Sequence, residues 1–354
     1  MTTMLAAIIV LGLLTSIHEL GHLLAAMWTG LQVAEFGLGY PPRILTLGRI
    51  RGTEYTLNLI FFGAFVRLAE EGDPGTQLAK QRKRVRAAFL LGGPLLNLLL
   101  AVVLFGTCFI SGWPVAHDLA VGVQVRPRSV AEAVGFEDGD LILAADGRSV
   151  SSTLDLILYA RSVHGNIRTV TIRRRGRSFP LPLPAGAPWF VKPESRGVHL
   201  CNGAGWVEIV SYPWPEAIGR GLTEALSCAA SLFSLPLDIL RGMIPADMVR
   251  PVGPVGIAQL TSQAARQLVD TGGWFPLLHL TATLSAALAA IKVLPLPGLD
   301  GGRLLFIAIE ALCGKHLDPS RENLIHFLGI ALMFMLILVV TYYDITAPYP
   351  GGGR

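Results

Sequence analysis

Near the start of the chain, residues Met4–Trp28 read MLAAIIVLGLLTSIHELGHLLAAMW, an apolar stretch that carries ionisable side chains only in its second half. A helix of roughly 20 apolar residues crosses the hydrocarbon core of a bilayer, so this stretch predicts a transmembrane helix. His18, Glu19 and His22 would then lie inside the membrane, where ionisable residues are costly and are by default functional or paired. Because no basic residue precedes the apolar run, we expect the helix to be retained rather than cleaved as a signal peptide.

The rest of the chain is also poor in charge. Of its 354 residues, 52% are hydrophobic and 15% are charged, whereas soluble domains are roughly 25% charged. This composition excludes a disordered or collagen-like chain, and it argues against a soluble nucleic-acid-binding protein despite the net charge of +4. It predicts a polytopic α-helical membrane protein with about four transmembrane helices, at about 4–28, 87–110, 275–292 and 327–343.

One further segment, Leu222–Leu240, is intermediate in character. It carries Glu224 and Asp238 near its ends and Pro236 in its interior. We expect a soluble or interfacial amphipathic helix, and the alternative is a fifth span.

Basic residues in the loops predict the orientation. The run Lys80–Arg86 lies between the first two spans, and Arg303, Lys315 and Arg321 lie between the last two. Because positively charged loops stay in the cytoplasm, both loops are expected there, with both termini and the region 112–274 outside. Nucleic-acid binding is the alternative for the basic run, but the run adjoins a span directly.

A stretch of ordinary polarity, Leu119–Pro184, predicts a small α+β domain between the second and third spans. Short strand and helix patterns alternate there, and Asp146-Gly147 and Arg175-Gly176 are typical of hairpin turns. The predicted organisation is, in chain order, an N-terminal membrane core (1–112), this domain (115–186), an extracytoplasmic or interfacial linker with the amphipathic helix (187–274) and a C-terminal membrane core (275–354).

The run His18-Glu19-Leu20-Gly21-His22 is an HExxH motif. Residues four apart share one helix face, so both imidazoles can bind one Zn²⁺ ion while Glu19 handles the proton of a water molecule. A catalytic zinc site takes a third protein ligand. Asp300 is our candidate, because Pro295–Gly302 breaks the helix directly after the third span, and irregular backbone at membrane depth lines a cavity or packs in protein. The alternative for Asp300 is a helix N-cap, and His279 is a weaker candidate ligand.

Together these motifs resemble the site-2 protease family, which comprises intramembrane zinc metalloproteases of the peptidase M50 type. Within it, they resemble the bacterial regulator-of-sigma-E group that carries a PDZ domain. The resemblance extends over most of the chain and rests on His18-Glu19-x-x-His22, Asn58-Leu59-Ile60, Gly63–Val66, Gly93-Pro94 with Asn97, the PDZ-like stretch Gly135–Ile142, Gly253–Ala258, Leu299–Gly302 and Asp344-Ile345.

The resemblance implies that His18, His22 and Asp300 bind one Zn²⁺ ion and that Glu19 is the general base. The implied substrates are single-pass membrane proteins, such as anti-sigma factors, that have been trimmed beforehand on their outer side. Membrane lipids are further partners, peptide C-termini are potential ligands of the PDZ domain, and no nucleic acid is expected. The implied location is the bacterial inner membrane, with the PDZ domain extracytoplasmic and the active site towards the cytoplasm.

The resemblance also implies a membrane-associated β structure at about 36–70, near the zinc. From the residues alone, its second part, Tyr55–Leu68, reads as two short strands around Phe62-Gly63. A sheet edge at this place could align an unwound substrate helix as an added strand.

Three residues are candidate substrate contacts, namely Asn58, Gly63 and Lys292. Lys292 stands where the family has Asn, and it could stabilise a developing oxyanion or extend its ammonium group to the interface. The run Phe61–Phe65 also departs from the Pro-x-Gly-Gly-Tyr that the family favours. Two rival functions stay open: a zinc transporter or metallochaperone, and a catalytically inactive scaffold that binds peptides.

Overall fold

The computed structural model describes residues 2–69, 78, 80–184, 189–191, 196–241, 244, 251–314 and 319–346. The chain divides into two compact units. One combines Met1–Ser111 with Tyr212–Arg354, and the other is the inserted segment Gly112–Ser211.

The helices and strands are named in chain order. They are α1 (Thr2–Thr29), β1 (Val33–Ile50), β2 (Thr53–Leu68), α2 (Lys83–Ser111), β3 (Trp113–Val125), α3 (Val130–Val134), β4 (Leu141–Ala145), β5 (Arg148–Ser149), α4 (Thr153–Ser162), β6 (Thr169–Arg174), β7 (Arg177–Pro182), β8 (Val198–Val210), α5 (Trp214–Leu240), α6 (Pro254–Thr271), α7 (Phe275–Val293), α8 (Asp300–Cys313) and α9 (Pro319–Thr346).

Among the described residues, five helical segments are long and apolar enough to cross a membrane. They are Ala6–Thr29, Lys83–Ser111, Trp214–Leu240, Phe275–Val293 and Leu324–Thr346. Four of them overlap the four predicted spans. The fifth is α5, which the sequence predicts to be soluble or interfacial; its buried residues are small, and one of them, Gly221, lies against Gly106 of α2. By length and composition, α5 therefore joins the four predicted helices as a candidate span.

Close packing of α1 on α2 positions the HExxH motif. A Cβ atom on Gly21 would overlap the backbone carbonyl of Gly92, so the two helices touch through their backbones. Leu23, Ala26 and Leu90 belong to the apolar core beside this contact. Glycine at position 21 permits the close approach, which turns the histidine face of α1 towards α2.

Strands β1 and β2 form a two-stranded antiparallel sheet. The turn lies at Arg51-Gly52, whose positive φ values of 50° and 89° suit a tight hairpin. The prediction of two short strands around Phe62-Gly63 agrees with the register of the pairing, because Leu38 of β1 is paired with both Leu57 and Ala64 of β2. The two ends of β2 therefore lie on opposite sides of β1, and the chain reverses near Gly63, which has a φ of 92°. Glycine at position 63 permits the positive φ that this reversal uses.

The inserted unit is built on an antiparallel sheet of order β7-β6-β4-β3-β8, with β5 paired to β4. The predicted hairpin turns at Asp146-Gly147 and Arg175-Gly176 are confirmed, and all four residues have positive φ. Helices α3 and α4 each begin after a serine, Ser129 and Ser152, whose side chain accepts a backbone N–H of the first turn. The buried core of the unit includes Val121, Phe136, Ile142, Leu156, Ile172 and Trp189.

This unit ends later in the sequence than predicted. Strand β8 pairs with β3 along its length, from Trp113 opposite Val210 to Val125 opposite Val198. The predicted boundary at residue 186 is therefore too early, and the compact unit continues to Ser211. The last recognisable hairpin in the sequence is β6–β7, whereas β8 completes the sheet through a partner that is distant in sequence.

Candidate metal centre

Two imidazoles of α1 lie together on one side of the helix. His18 and His22 are 2% and 5% exposed, and their Nε2 atoms are 3.2 Å apart. His22 donates its Nδ1–H to the carbonyl oxygen of Phe89 at 2.8 Å. This hydrogen bond leaves the Nε2 lone pair of His22 directed at the site, as a metal ligand requires.

The carboxylate of Asp300 joins the two imidazoles. Helix α7 ends at Val293 and α8 begins at Asp300, with the Pro-Gly break between them. Oδ2 of Asp300 lies 3.1 Å from Nε2 of His18 and 3.6 Å from Nε2 of His22. The N-cap of α8 is Leu299, so the N-cap alternative for Asp300 does not hold. The structure thus brings together the three residues that the sequence suggested as ligands.

The separations within this group fit a tetrahedral zinc ion. Ligand atoms about 2.0–2.1 Å from a tetrahedral ion are roughly 3.3 Å from one another, and the three separations here are 3.1, 3.2 and 3.6 Å. Imidazole nitrogens and a carboxylate oxygen are also the donors that catalytic zinc sites use. Lone pairs facing each other at these distances repel unless a cation or protons lie between them, so the buried group favours a bound positive charge.

Helix α2 forms the wall behind the imidazoles. A Cβ atom on Gly93 would lie 2.6 Å from Nε2 of His22 and 2.7 Å from Cε1 and Nε2 of His18. Non-bonded atoms are normally about 3.5 Å or more apart. Because position 93 has no side chain, both rings lie against the backbone of α2 with their Nε2 atoms near Asp300.

Asn97 of α2 contacts the other ring nitrogen of His18. Its side chain is fully buried, and Nδ2 is 3.5 Å from Nδ1 of His18. Oδ1 has no hydrogen-bond partner among the described residues. A half-turn of the amide exchanges its nitrogen and oxygen, and it would let the oxygen accept Nδ1–H of His18. In that arrangement, Asn97 orients His18 as the Phe89 carbonyl orients His22. The sequence included Asn97 only within a family motif and gave it no such role.

Glu19 lies beside this group without being part of it. The candidate ligand atoms that lie within 4.8 Å of one another belong to His18, His22 and Asp300. The Glu19 carboxylate is half-buried, and the backbone N–H of Val66 in β2 interacts with it electrostatically. A carboxylate held next to a metal site but outside its ligand set is suited to take up and return a proton.

Two candidate substrate contacts lie in β2. Asn58 is buried and donates its side-chain N–H to the backbone carbonyl of Gly39 at 3.2 Å. In this conformation it therefore links β2 to β1. Gly63 lies against α1, where a Cβ atom would be 2.8 Å from Oγ1 of Thr15. Both residues thus shape the sheet next to the HExxH helix.

Two further polar residues border the site. Lys292, in the last turn of α7, is half-buried and interacts electrostatically with Glu19 and Asp300. Tyr40 of β1 is a residue that the sequence analysis missed. Burial and, secondly, the charge of Glu19 raise the pKa of the Tyr40 phenol, which therefore stays neutral and able to donate a hydrogen bond. Only the pairing of β1 with β2 brings Tyr40 to this place, so no local sequence pattern marks it.

His279, the weaker candidate ligand, is not part of the metal-ligand group. Its ring stacks on Phe275 at a centroid distance of 5.5 Å and meets Phe105 edge-on at 5.6 Å. His279 therefore packs among aromatic rings of α7 and α2.

The fold and the site together define a class of protein. Two histidines of one apolar helix meet an aspartate from a broken helix, and a separate carboxylate stands beside them. This arrangement is typical of a hydrolytic metal centre carried by membrane helices.

Comparison with known proteins agrees with this class. The model of peptidase family M50 matches residues 6–336. The zinc metalloprotease RasP of Geobacillus kaustophilus is 28% identical, with 97% of both chains covered, and RasP of Oceanobacillus iheyensis is 27% identical over 98% of this chain and 99% of its own. A protein of Agrobacterium fabrum, described as a candidate zinc metalloprotease, is 28% identical over 96% of this chain and 94% of its own. The chain belongs to peptidase family M50, as a zinc metalloprotease of the site-2 protease family.

Proposed function

We propose that this protein is an intramembrane endopeptidase that cleaves single-pass membrane proteins, with anti-sigma factors trimmed on their outer side as the expected substrates. The observation that carries the proposal is the convergence of His18, His22 and Asp300, whose ligand atoms all lie within 4.8 Å of one another. The two histidines belong to a helix long and apolar enough to cross a bilayer. A site at that depth is accessible to substrates that are themselves in the membrane.

In the proposed mechanism, His18, His22 and Asp300 hold one Zn²⁺ ion. When bound, zinc supplies the positive charge that polarises a peptide carbonyl and lowers the pKa of water. Glu19 takes a proton from the attacking water and later donates it to the leaving amine nitrogen. The backbone N–H of Val66, which interacts with the Glu19 carboxylate, would favour a fixed position of that carboxylate during both proton transfers.

Neighbouring residues support this chemistry. The Phe89 carbonyl holds His22 in the tautomer that binds metal through Nε2, and Asn97 does the same for His18. The ammonium group of Lys292 stabilises the negative charge that develops on the peptide oxygen, in place of the Asn that the family has at this position.

A substrate helix must open before its peptide bond can be attacked, because a helical peptide bond is hydrogen-bonded and shielded. The sheet of β1 and β2 would hold the opened segment as an added strand. Two observations support this role, since Gly63 lies against Thr15 of α1 and the backbone N–H of Val66 interacts electrostatically with Glu19. Asn58 would contribute by keeping β2 in register with β1.

The inserted unit Gly112–Ser211 would act as a PDZ domain that admits shortened substrates or binds their C-termini. The basic run Lys80–Arg86 follows the HExxH helix, which favours a cytoplasmic position for the end of that helix. The active site would then open towards the cytoplasm, with the inserted unit outside the bacterial inner membrane.

The substitution Glu19→Gln tests the proposed function. It removes the proton acceptor and keeps the shape of the side chain, so we expect peptide hydrolysis to fall by about 10²–10⁴-fold while zinc stays bound. The assay is cleavage of a trimmed single-pass substrate in proteoliposomes, with zinc quantified in the same preparation. Glu216→Gln is the matched control, because Glu216 is a surface acid that pairs with Arg220.

Three outcomes separate the alternatives. Loss of cleavage with zinc retained in Glu19→Gln, and normal cleavage in Glu216→Gln, supports the protease. If zinc is transported into the vesicles and Glu19→Gln does not reduce this transport, a transporter is favoured. If both the wild-type protein and the Lys292→Asn variant contain zinc but cleave no substrate, the protein is a scaffold and the proposed activity is contradicted.

A further inference from the structure

Helix α9 contacts the break between α7 and α8 from the side. The backbone N–H of Gly298 donates a hydrogen bond to Nδ1 of His326 at 2.9 Å. His326 is 7% exposed, so the bond is shielded from water. Gly298 has a φ of +92°, a conformation that only glycine adopts readily. Gly298, which lies in the turn within the break, is thus hydrogen-bonded to α9 through its own backbone amide.

Two further contacts fix His326 against this region. The ring of Phe306 in α8 meets the imidazole edge-to-face, with a centroid distance of 5.4 Å and an interplanar angle of 79°. A Cβ atom on Gly329 would overlap the carbonyl oxygen of Pro297, so α9 and the break touch backbone to backbone. His326 therefore contacts both the break and α8, whose junction carries Asp300.

The hydrogen bonding of the imidazole indicates why a histidine stands here. A backbone N–H needs an acceptor, so Nδ1 of His326 is unprotonated and the proton of the neutral ring is on Nε2. Nε2 is buried without a hydrogen-bond partner among the described residues, and Oε1 of Glu322 is 3.9 Å from it. A buried polar atom without a partner is destabilising. An aliphatic residue would avoid that penalty but would leave the Gly298 amide without an acceptor.

We propose that His326 is a positioning residue for the carboxylate of Asp300. By accepting the amide hydrogen of Gly298, two residues before Asp300, it fixes the direction in which α8 starts. That direction places Oδ2 of Asp300 within 3.1 Å of Nε2 of His18. The inference rests on the proposed metal site, and it adds a contribution from α9, none of whose described side chains belongs to the metal-ligand group.

The test compares the zinc affinity of the full-length protein in detergent, measured by chelator competition. His326→Leu fills the space without an acceptor, whereas His326→Asn can present its side-chain oxygen near the position of Nδ1. Hydrogen bonds around metal ligands contribute about 10–100-fold to metal affinity, so we expect at least about tenfold weaker zinc binding in His326→Leu and recovery of most of the loss in His326→Asn. The control is Phe327→Leu, because Phe327 is 67% exposed and its replacement should leave zinc affinity unchanged.

The outcomes are distinct. Equal zinc affinity in the wild type and His326→Leu would overturn the positioning role, and so would an equal loss in the Leu and Asn variants. Unfolding midpoints measured in excess chelator report the general packing of each variant without bound zinc. The positioning role requires that His326→Leu and His326→Asn differ less in these midpoints than they differ in zinc affinity. If His18→Ala binds zinc as tightly as the wild type, the metal site itself is refuted.

Discussion

The clearest perturbation of the candidate site is a single methyl group at Gly93. The Cβ of Gly93→Ala would lie 2.6 Å from Nε2 of His22 and 2.7 Å from Nε2 of His18. Restoring an ordinary separation of about 3.5 Å requires the rings or the helices to move by roughly 0.8 Å. A catalytic group has to be held within about 0.5 Å of its productive position. The added methyl therefore displaces both imidazoles by more than the site tolerates.

We expect Gly93→Ala to lower kcat/KM on the order of 100-fold, the typical effect of a misplacement near 1 Å. The same crowding should destabilise the protein by about 1–3 kcal/mol, which is small enough to leave it folded. Cleavage in proteoliposomes and zinc affinity are the readouts. Gly219→Ala is the matched control, since Gly219 lies in α5 with nothing within 4 Å of the added atom, and it should keep full activity. Wild-type activity and zinc affinity in Gly93→Ala would refute the packing of the imidazoles on α2.

Two other predictions concern regions away from the ligands. Removing Gly112–Ser211 and joining the flanking residues should allow cleavage of untrimmed substrate. The join is short, because Trp113 at the start of the unit pairs with Val210 at its end. Unchanged selectivity between trimmed and untrimmed substrates in proteoliposomes would contradict the size filter. Arg86 donates a hydrogen bond to Glu310 at 2.7 Å, and both side chains are buried. Arg86→Met alone should therefore lower the free energy of unfolding by about 3–5 kcal/mol, whereas the double variant with Glu310→Leu should regain most of that stability. Thermal unfolding in detergent measures this difference, and equal stability of the single and double variants would count against a buried ion pair.

The sequence predicts the metal site better than it predicts which strands pair with each other. Histidines four apart on an apolar helix have little freedom, because the helix itself places both rings on one face. Asp300 could be anticipated because prolines and glycines after an apolar helix force a break, and an acid at such a break needs a partner. Both inferences depend on local geometry, which the sequence determines directly.

The features that sequence reasoning missed depend on contacts between distant segments. The chain reverses both at Arg51-Gly52 and near Gly63, but the sequence indicated only the second place, because the first is marked by the long pairing of β1 with β2. Strand β8 is recognised only when β3 is its partner. The hydrogen bond from Gly298 to His326 joins the break between α7 and α8 to α9, and no pattern around residue 326 indicates it.

The break between α7 and α8 shows how irregular backbone becomes acceptable beside membrane helices. Interrupting a helix frees backbone groups that lipid cannot satisfy, so protein must satisfy them. Here the Gly298 amide is bound by His326, and a Cβ on Gly301 would overlap the carbonyl of Leu294, so the start of α8 packs directly on the end of α7. The orientation of Asp300 therefore depends on α7 and on α9 together. The carboxylate of the metal site is placed by tertiary contacts with the last described helix, although that helix contributes no ligand of its own.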